Sequence, residues 1–357
     1  MSEVYPTLTT LFTDIADAIR EITGDTDLII ADDFPDVIRD SLQVAPPKPY
    51  LTFKSPSSFT LKVNNSKKHW DGTLEYSTDA STWSTWNGTT TLSSSTGGSS
   101  NVLYLRGTGN TVITGSNSNY KWVLTGSNIK CIGNIENLLD YATVEAGNHP
   151  TMASYCYHGM FMSCTALTQA PSLPATTLAD YCYQNMFGNC TSLTQAPALP
   201  ATTLANQCYG GMFSGCTSLT QAPALPATIL AQLCYGNMFL NCTSLTQAPS
   251  LSTTTLVDGC YYGMFSGCTA LTQAPALPAT TLAANCYGYM FYKCTALKLS
   301  STQTEEYTVE YRIPSSGIGT TGTDSLIDMF TGTGGTFKGT PEINTTYYLS
   351  NTNTIVS

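Results

Sequence analysis

Thirteen cysteines are the residues of this chain best suited to chemistry. Twelve of them stand in two series: Cys156, Cys182, Cys208, Cys234, Cys260 and Cys286, then Cys164, Cys190, Cys216, Cys242, Cys268 and Cys294. Within each series every member follows the last by 26 residues. Thiols in such numbers can hold zinc, pair as disulfides or attack electrophiles. The C-x7-C spacing does not match structural zinc sites, whose ligand pairs stand about two to four residues apart. Only His69, His149 and His158 are available to add imidazole. A helical C-x7-C would separate its Cα atoms by about 12 Å, past the limit of roughly 7 Å for a bridge. Equivalent cysteines on stacked neighbours would lie about 5 Å apart. That distance permits a bridge, but parallel Cβ vectors fit one poorly. The expectation is a ladder of reduced, buried cysteines acting as small hydrophobes, with bridging between neighbours as the alternative.

Other chemistry is thinner. No glycine-rich phosphate loop leads into a helix, and neither a nucleophile elbow nor an HExxH motif is present. From Cys156 to Leu297 the charged residues are Asp180, Asp258 and Lys293, too sparse for a paired acid and base. Asp71, after His69-Trp70, reads as a turn residue. The expectation is a non-enzyme with no catalytic, metal or cofactor site.

Binding is better served. Comparing the units shows variation in the pair before the first Cys and in the pairs after CY and after MF. There stand Tyr155, His158, Asp180, Tyr181, Gln184, Asn185, Gln207, Gln232, Leu233, Tyr262, Tyr289, Tyr292 and Lys293. Stacked units would align them along one edge. Tyr, His, Asn and Gln suit recognition because they join apolar area to hydrogen bonding; neutral drift on an exposed edge is the competing reading. A second candidate face is the ladder of Gln169, Gln195, Gln221, Gln247 and Gln273 beside Thr168, Thr194, Thr220, Thr246 and Thr272. Identical ladders suit a repetitive ligand such as a glycan, and equally satisfy one another.

The elements that position these residues follow from the period. A fixed repeat of 26 residues marks a solenoid, in which a unit buries its apolar face only by stacking on its neighbours. Six units cover 156–297. CYQNMFGNC reads as one or two helical turns, and Thr191 to Pro197 as a short extended piece with Leu193 and Ala196 inward. Residues 128–155, with Cys131, Ile132, Ile135, Leu138, Leu139 and Tyr141, read as the N-terminal cap. In the C-terminal cap, 298–357, Ser325, Met329, Phe330 and Thr333 repeat the unit spacing with both cysteines replaced, as expected for an end that faces water.

Ahead of the repeats, 50–127 alternates short β-rich runs with turn residues: Tyr50–Phe53, Phe59–Val63, Thr73–Ser77, Thr89–Leu92, Val102–Arg106, Thr111–Thr114 and Tyr120–Leu124. This predicts a β-sandwich. Trp70, Trp83, Trp86 and Trp122 all lie here, either as core or as a solvent-facing platform for sugars. Of Trp83 and Trp86, at most one faces the core of an extended segment. Residues 45–49 form a proline-rich linker. Residues 1–44 read as two short helices, the first striped by Leu8, Leu11, Phe12, Ile15, Ile19 and Ile22. So small a core calls for a partner, copies of itself or another protein.

Composition narrows the partners. The net charge of −10 argues against nucleic acid. No apolar run is long enough to cross a membrane, and MSEVYPTLTT is not a secretory signal.

The pattern MFxxCTSLTQAPALPATTLAxxCYxxMF resembles leucine-rich repeats of the BspA type, which occur in surface-exposed and adhesive proteins. The segment TLFTDIADAIREITGDTDLIIADDFPDVIRDSL resembles N-terminal segments of tail and fibre-associated proteins of bacteriophages. The fold class implied is mainly β with short helices: a leucine-rich-repeat solenoid after a β-sandwich-like domain and a short helical segment. The function implied is a phage tail protein. Residues 1–44 would meet other virion proteins, and the solenoid would bind a bacterial cell-surface glycan or protein. A bacterial surface adhesin and a purely structural virion component are the alternatives.

Overall fold

The computed structural model describes residues 50–97, 100–317 and 324–356. The expected N-terminal helices and proline-rich linker lie outside these residues. The described chain is mainly β, with one short α-helix and no closed barrel among its sheets.

Alternating burial builds the first part. Strands β1 (Leu51–Ser55), β3 (Thr73–Ser77), β4 (Ser84–Trp86) and β7 (Ser100–Thr108) pair antiparallel in the order β1-β7-β3-β4, and β6 (Ser95–Gly97) also pairs with β7. A second sheet holds β2 (Thr60–Val63) between β5 (Leu92–Ser93) and β8 (Trp122–Thr125). Trp86 of the larger sheet meets Trp122 of the smaller one edge-on at 5.4 Å, and Trp70 lies 5.2 Å from Trp86. These three tryptophans are core. Trp83 is half-buried, and the Arg106 guanidinium lies 4.1 Å over its ring, so that face is occupied by the protein itself.

Two expected strands differ. Thr89–Leu92 contributes only Leu92, and Thr111–Thr114 is a loop: the Ile113 and Thr114 N–H groups both donate to the Cys156 carbonyl. Asp71 fixes that loop, accepting from the Thr111 N–H at 2.8 Å and the Thr111 hydroxyl.

Residues 128–155 join the sheet to the repeats. Strand β9 (Ile129–Ile132) pairs antiparallel with β1 and parallel with β10 (Leu167–Gln169) in the first unit. Helix α1 (Asn137–Glu145) follows and packs on β7. Contact there is so close that a methyl on Gly107 would be driven into the Leu138 carbonyl. We expect Gly107→Ala to lose about 2–3 kcal/mol; a melting temperature within a degree of the parent would contradict this close approach.

Six units then lie in register, and their buried columns repeat. Cys208, Tyr209, Met212, Phe213, Cys216 and Leu219 typify one unit, all at most 1% exposed. Phenylalanines from Phe161 to Phe291 stack at 5.7–5.8 Å, and tyrosines from Tyr157 to Tyr287 at 5.5–6.0 Å.

The expected helical turns do not form. CYxxMFxxC segments are turns whose backbone is left-handed at every fourth residue: Tyr181 (φ 61°), Asn185 (54°) and Asn189 (58°) in one unit, Gln207 (50°), Gly211 (61°) and Gly215 (74°) in the next. A left-handed residue every four positions prevents the i→i−4 ladder of an α-helix. Amide groups alternate instead. Gln184, Met186, Gly188 and Cys190 donate three residues back within the unit. Tyr183, Asn185, Phe187 and Asn189 donate to Cys208, Gly210, Met212 and Ser214 of the next unit. Most hydrogen bonding between inner units runs here, while the LTQ segments add single parallel bridges, Gln195 to Gln221 to Gln247 to Gln273.

Both ends are covered. Phe53 and Trp122 meet Phe161 edge-on at 6.1 and 6.2 Å, so the β-rich region itself caps the first unit. At the other end Phe330 continues the phenylalanine stack 5.7 Å from Phe291, and Tyr287, Tyr289 and Phe291 donate to Ser325, Ile327 and Met329. This incomplete seventh unit does not face water: Ser325 and Thr333 are at most 2% exposed. A four-stranded sheet covers it, β12 (Tyr307–Arg312), β14 (Thr346–Ser350), β11 (Lys298–Ser300) and β13 (Gly334–Gly335) in that order, bringing Tyr311 and Tyr347 onto Phe330.

Candidate binding edge

The cysteine columns are structural in their geometry. All thirteen thiols are free and buried. In the second column five thiols donate to the carbonyl of the phenylalanine in the preceding unit: Cys190 to Phe161, Cys216 to Phe187 and Cys242 to Phe213 at 3.1 Å, and Cys268 to Phe239 and Cys294 to Phe265 at 3.0 Å; Cys164, in the first unit, donates to the Trp122 carbonyl at 3.3 Å. The phenylalanine carbonyl also accepts the N–H three residues ahead of it, as Phe187 accepts from Cys190. Burial pushes the thiols up, Cys216 and Cys234 to about 12. A thiol held protonated is a poor nucleophile and a poor metal ligand. Among the described residues no three His, Cys, Asp or Glu side chains converge where a metal ion would sit.

The variable positions fall into three groups along the stack. At the N-terminal end Tyr155 and Tyr181 stack face to face at 4.4 Å. Tyr181 joins Gln207 and Gln184: Gln184 Nε2 donates to Gln207 Oε1 at 2.6 Å, and Gln207 Nε2 to the Tyr181 hydroxyl at 3.4 Å. At the C-terminal end Tyr262, Tyr289 and Tyr292 form an edge-to-face cluster at 5.4 and 5.7 Å, with the Lys293 ammonium 5.0 Å over Tyr292. Between them lies an open groove of about 290 Å³, walled by Gln184, Asn185, Gln207, Leu233, Asn237 and Leu240.

Not every expected residue belongs there. His158 is buried beneath the 111–115 loop, its carbonyl accepting from the Thr114 hydroxyl at 2.9 Å, so it is not part of a free edge. Asp180 is committed to the next unit, where it accepts the Asn206 N–H at 2.9 Å, and Asn206 in turn accepts the Gln232 N–H. That chain of side chains ties neighbouring units together.

Some variation that looked free is paired across units. Asn185 and Asn237 carry side chains into the space left by Gly211 and Gly263, and Asn189 and Asn241 do the same over Gly215 and Gly267; a Cβ on any of these glycines would collide with the asparagine Oδ1. Asn and Gly also suit the left-handed backbone at these positions. Tyr155, Tyr181, Gln207 and Leu233 hold the same conformation in the column where later units place Gly259 and Asn285. Bulky residues there cost on the order of 1–3 kcal/mol each.

The Gln and Thr face is plainer. Gln169, Gln195, Gln221 and Gln247 are exposed and Gln273 half-buried. Among the described residues no hydrogen bond joins their side-chain amides.

Known proteins add no constraint. Comparison with protein families, curated proteins and solved structures returns no match. The edge must therefore be judged on its own geometry. It offers stacking surfaces at two ends and amides between them, in a segment whose charges are Asp180, Asp258 and Lys293. That arrangement suits reversible binding of an extended polar ligand.

Proposed function

We propose that this chain is a non-enzymatic phage tail or fibre-associated protein that binds a bacterial surface receptor. In this reading the two Trp-joined sheets are a β-sandwich-like domain, and residues 156–297 are a solenoid of the leucine-rich-repeat type. Residues 1–44 are its attachment to other virion proteins. One observation carries the binding part: the groove and its flanking tyrosines share the variable edge, while the Gln and Thr face repeats the same pair through five units. The retained strain at Tyr181, Gln207 and Leu233 supports it, because strained residues persist where something offsets their cost.

The test is adsorption of the purified full chain to cells of the bacterium that the phage infects. Saturable adsorption that competes with phage infection is expected. A folded chain that neither adsorbs nor competes would overturn the reading. Incorporation into virions after deletion of residues 1–44 would overturn the attachment role separately.

A further inference from the structure

We infer that the groove between the tyrosine clusters takes an uncharged oligosaccharide bearing N-acetyl groups. This inference rests on the receptor-binding reading and names the ligand chemistry of that same edge.

The first argument is how the groove arises. In the column two residues after the first cysteine, successive units carry His158, Gln184, Gly210, Gly236, Tyr262 and Gly288. Gly210 and Gly236 leave the gap between Gln184 and Tyr262. Backbone needs do not explain Gly210. It is absent from the left-handed residues, and a Cβ there would meet nothing closer than 3.4 Å. Gly211 beside it does have both reasons, a φ of 61° and the asparagine above it. A Cβ fits at Gly210 in the fold, and the omission of a side chain there opens the groove.

The second argument is the lining. Gln184, Asn185, Gln207 and Asn237 offer amides, and Ser214 a hydroxyl, with no formal charge among the lining residues. Among the described residues the Asn185 and Asn237 amides make no hydrogen bond to the protein, which leaves donors and acceptors for a ligand. Leu233 and Leu240 place two apolar side chains among those amides. A bare sugar hydroxyl gains nothing from a leucine. An acetamido group matches both features, its methyl on leucine and its amide on Asn or Gln. A charged ligand would lose its water with no ion to replace it.

The third argument is extent. The groove draws on three consecutive units, and the Tyr155–Tyr181 and Tyr262–Tyr289 pairs extend its line in both directions. Tyrosine faces suit the apolar face of a pyranose ring, so a chain of several sugars is the ligand rather than a monosaccharide.

The probes are a β-linked tetramer of N-acetylglucosamine and the glucose tetramer of the same linkage, titrated calorimetrically into the full chain. Binding of the acetylated tetramer is expected, with the glucose tetramer weaker by about tenfold or more. Gly210→Leu fills the groove without backbone strain and is expected to weaken acetylated binding by about tenfold or more, with an unchanged melting temperature. Gln207→Gly, which relieves a left-handed glutamine, should likewise keep the fold and lose affinity. Equal binding of the two tetramers, no binding of either, or parental affinity in a folded Gly210→Leu would each overturn the inference. Cell adsorption by a chain that ignores both tetramers would overturn the ligand class and leave the receptor reading standing. Tetramer binding without cell adsorption would do the reverse.

Discussion

Titration to alkaline pH is expected to unfold the repeat units cooperatively, beginning near the ordinary thiol pKa of 9.0. The sign follows from burial. In the folded chain desolvation pushes the thiols up, Cys164 to about 11, Cys216, Cys234 and Cys286 to about 12, and the others upward as well. The unfolded chain releases those protons first. Stability is therefore complete below the unfolded thiol pKa and is lost as pH rises toward the folded values. Each buried thiol removes about 1.4 kcal/mol per pH unit in that window. Twelve acting together give a slope on the order of 15 kcal/mol per pH unit, comparable to the whole stability of a typical domain. Buried tyrosines such as Tyr209 and Tyr287 shift the same way, for the same reason, and steepen the upper part of the transition. Circular dichroism and thiolate absorbance followed together should change in a single step within about one to two pH units above 9.0. Retention of native dichroism at pH near 11 would show that the thiols do not govern stability.

Phe213→Ala is the second large effect. The ring is fully buried, with Phe187 at 5.7 Å on one side and Phe239 at 5.8 Å on the other. Removing it costs the usual 3–5 kcal/mol, roughly, for a buried aromatic truncated to alanine. It also breaks both stacks at mid-length. Repeat units touch only their neighbours, so the lesion uncouples what lies on either side of it. Denaturant unfolding should move to lower concentration and separate into two transitions. A single transition shifted by less than about 1 kcal/mol would mean that the stack carries little of the cooperativity.

The buried columns were legible from the period alone, because a residue that must face the core of one unit must face it in all. Cys, Met, Phe and Leu announced themselves in this way, and so did the seventh unit through Met329 and Phe330. The backbone was not legible. Glycine or asparagine signals the left-handed backbone at Gly211 and Asn237, but in the column before the first cysteine Tyr155, Tyr181, Gln207 and Leu233 stand with Gly259 and Asn285 and hide the signal. The spacing of four between apolar residues then reads as helix. Pairing of Asn185 with Gly211 was missed for a related reason: it shows only when alternate units are compared. The burial of His158 depends on a loop 44 residues earlier in sequence, as the Thr114 hydroxyl bond records, and no local pattern announces a contact of that range. The groove itself needed the structure, since its floor consists of side chains that are not there.

The interlocking asparagines and glycines also constrain how this protein can change length. Excision of the unit holding Gly211 and Gly215 would set Asn185 against Asn237 and Asn189 against Asn241, with two side chains claiming one space. Excision of that unit together with the following one would set Asn185 against Gly263 and Asn189 against Gly267, restoring every match. On this face the heritable module is a pair of units, and lineages that lengthen or shorten the array by recombination should do so by even steps.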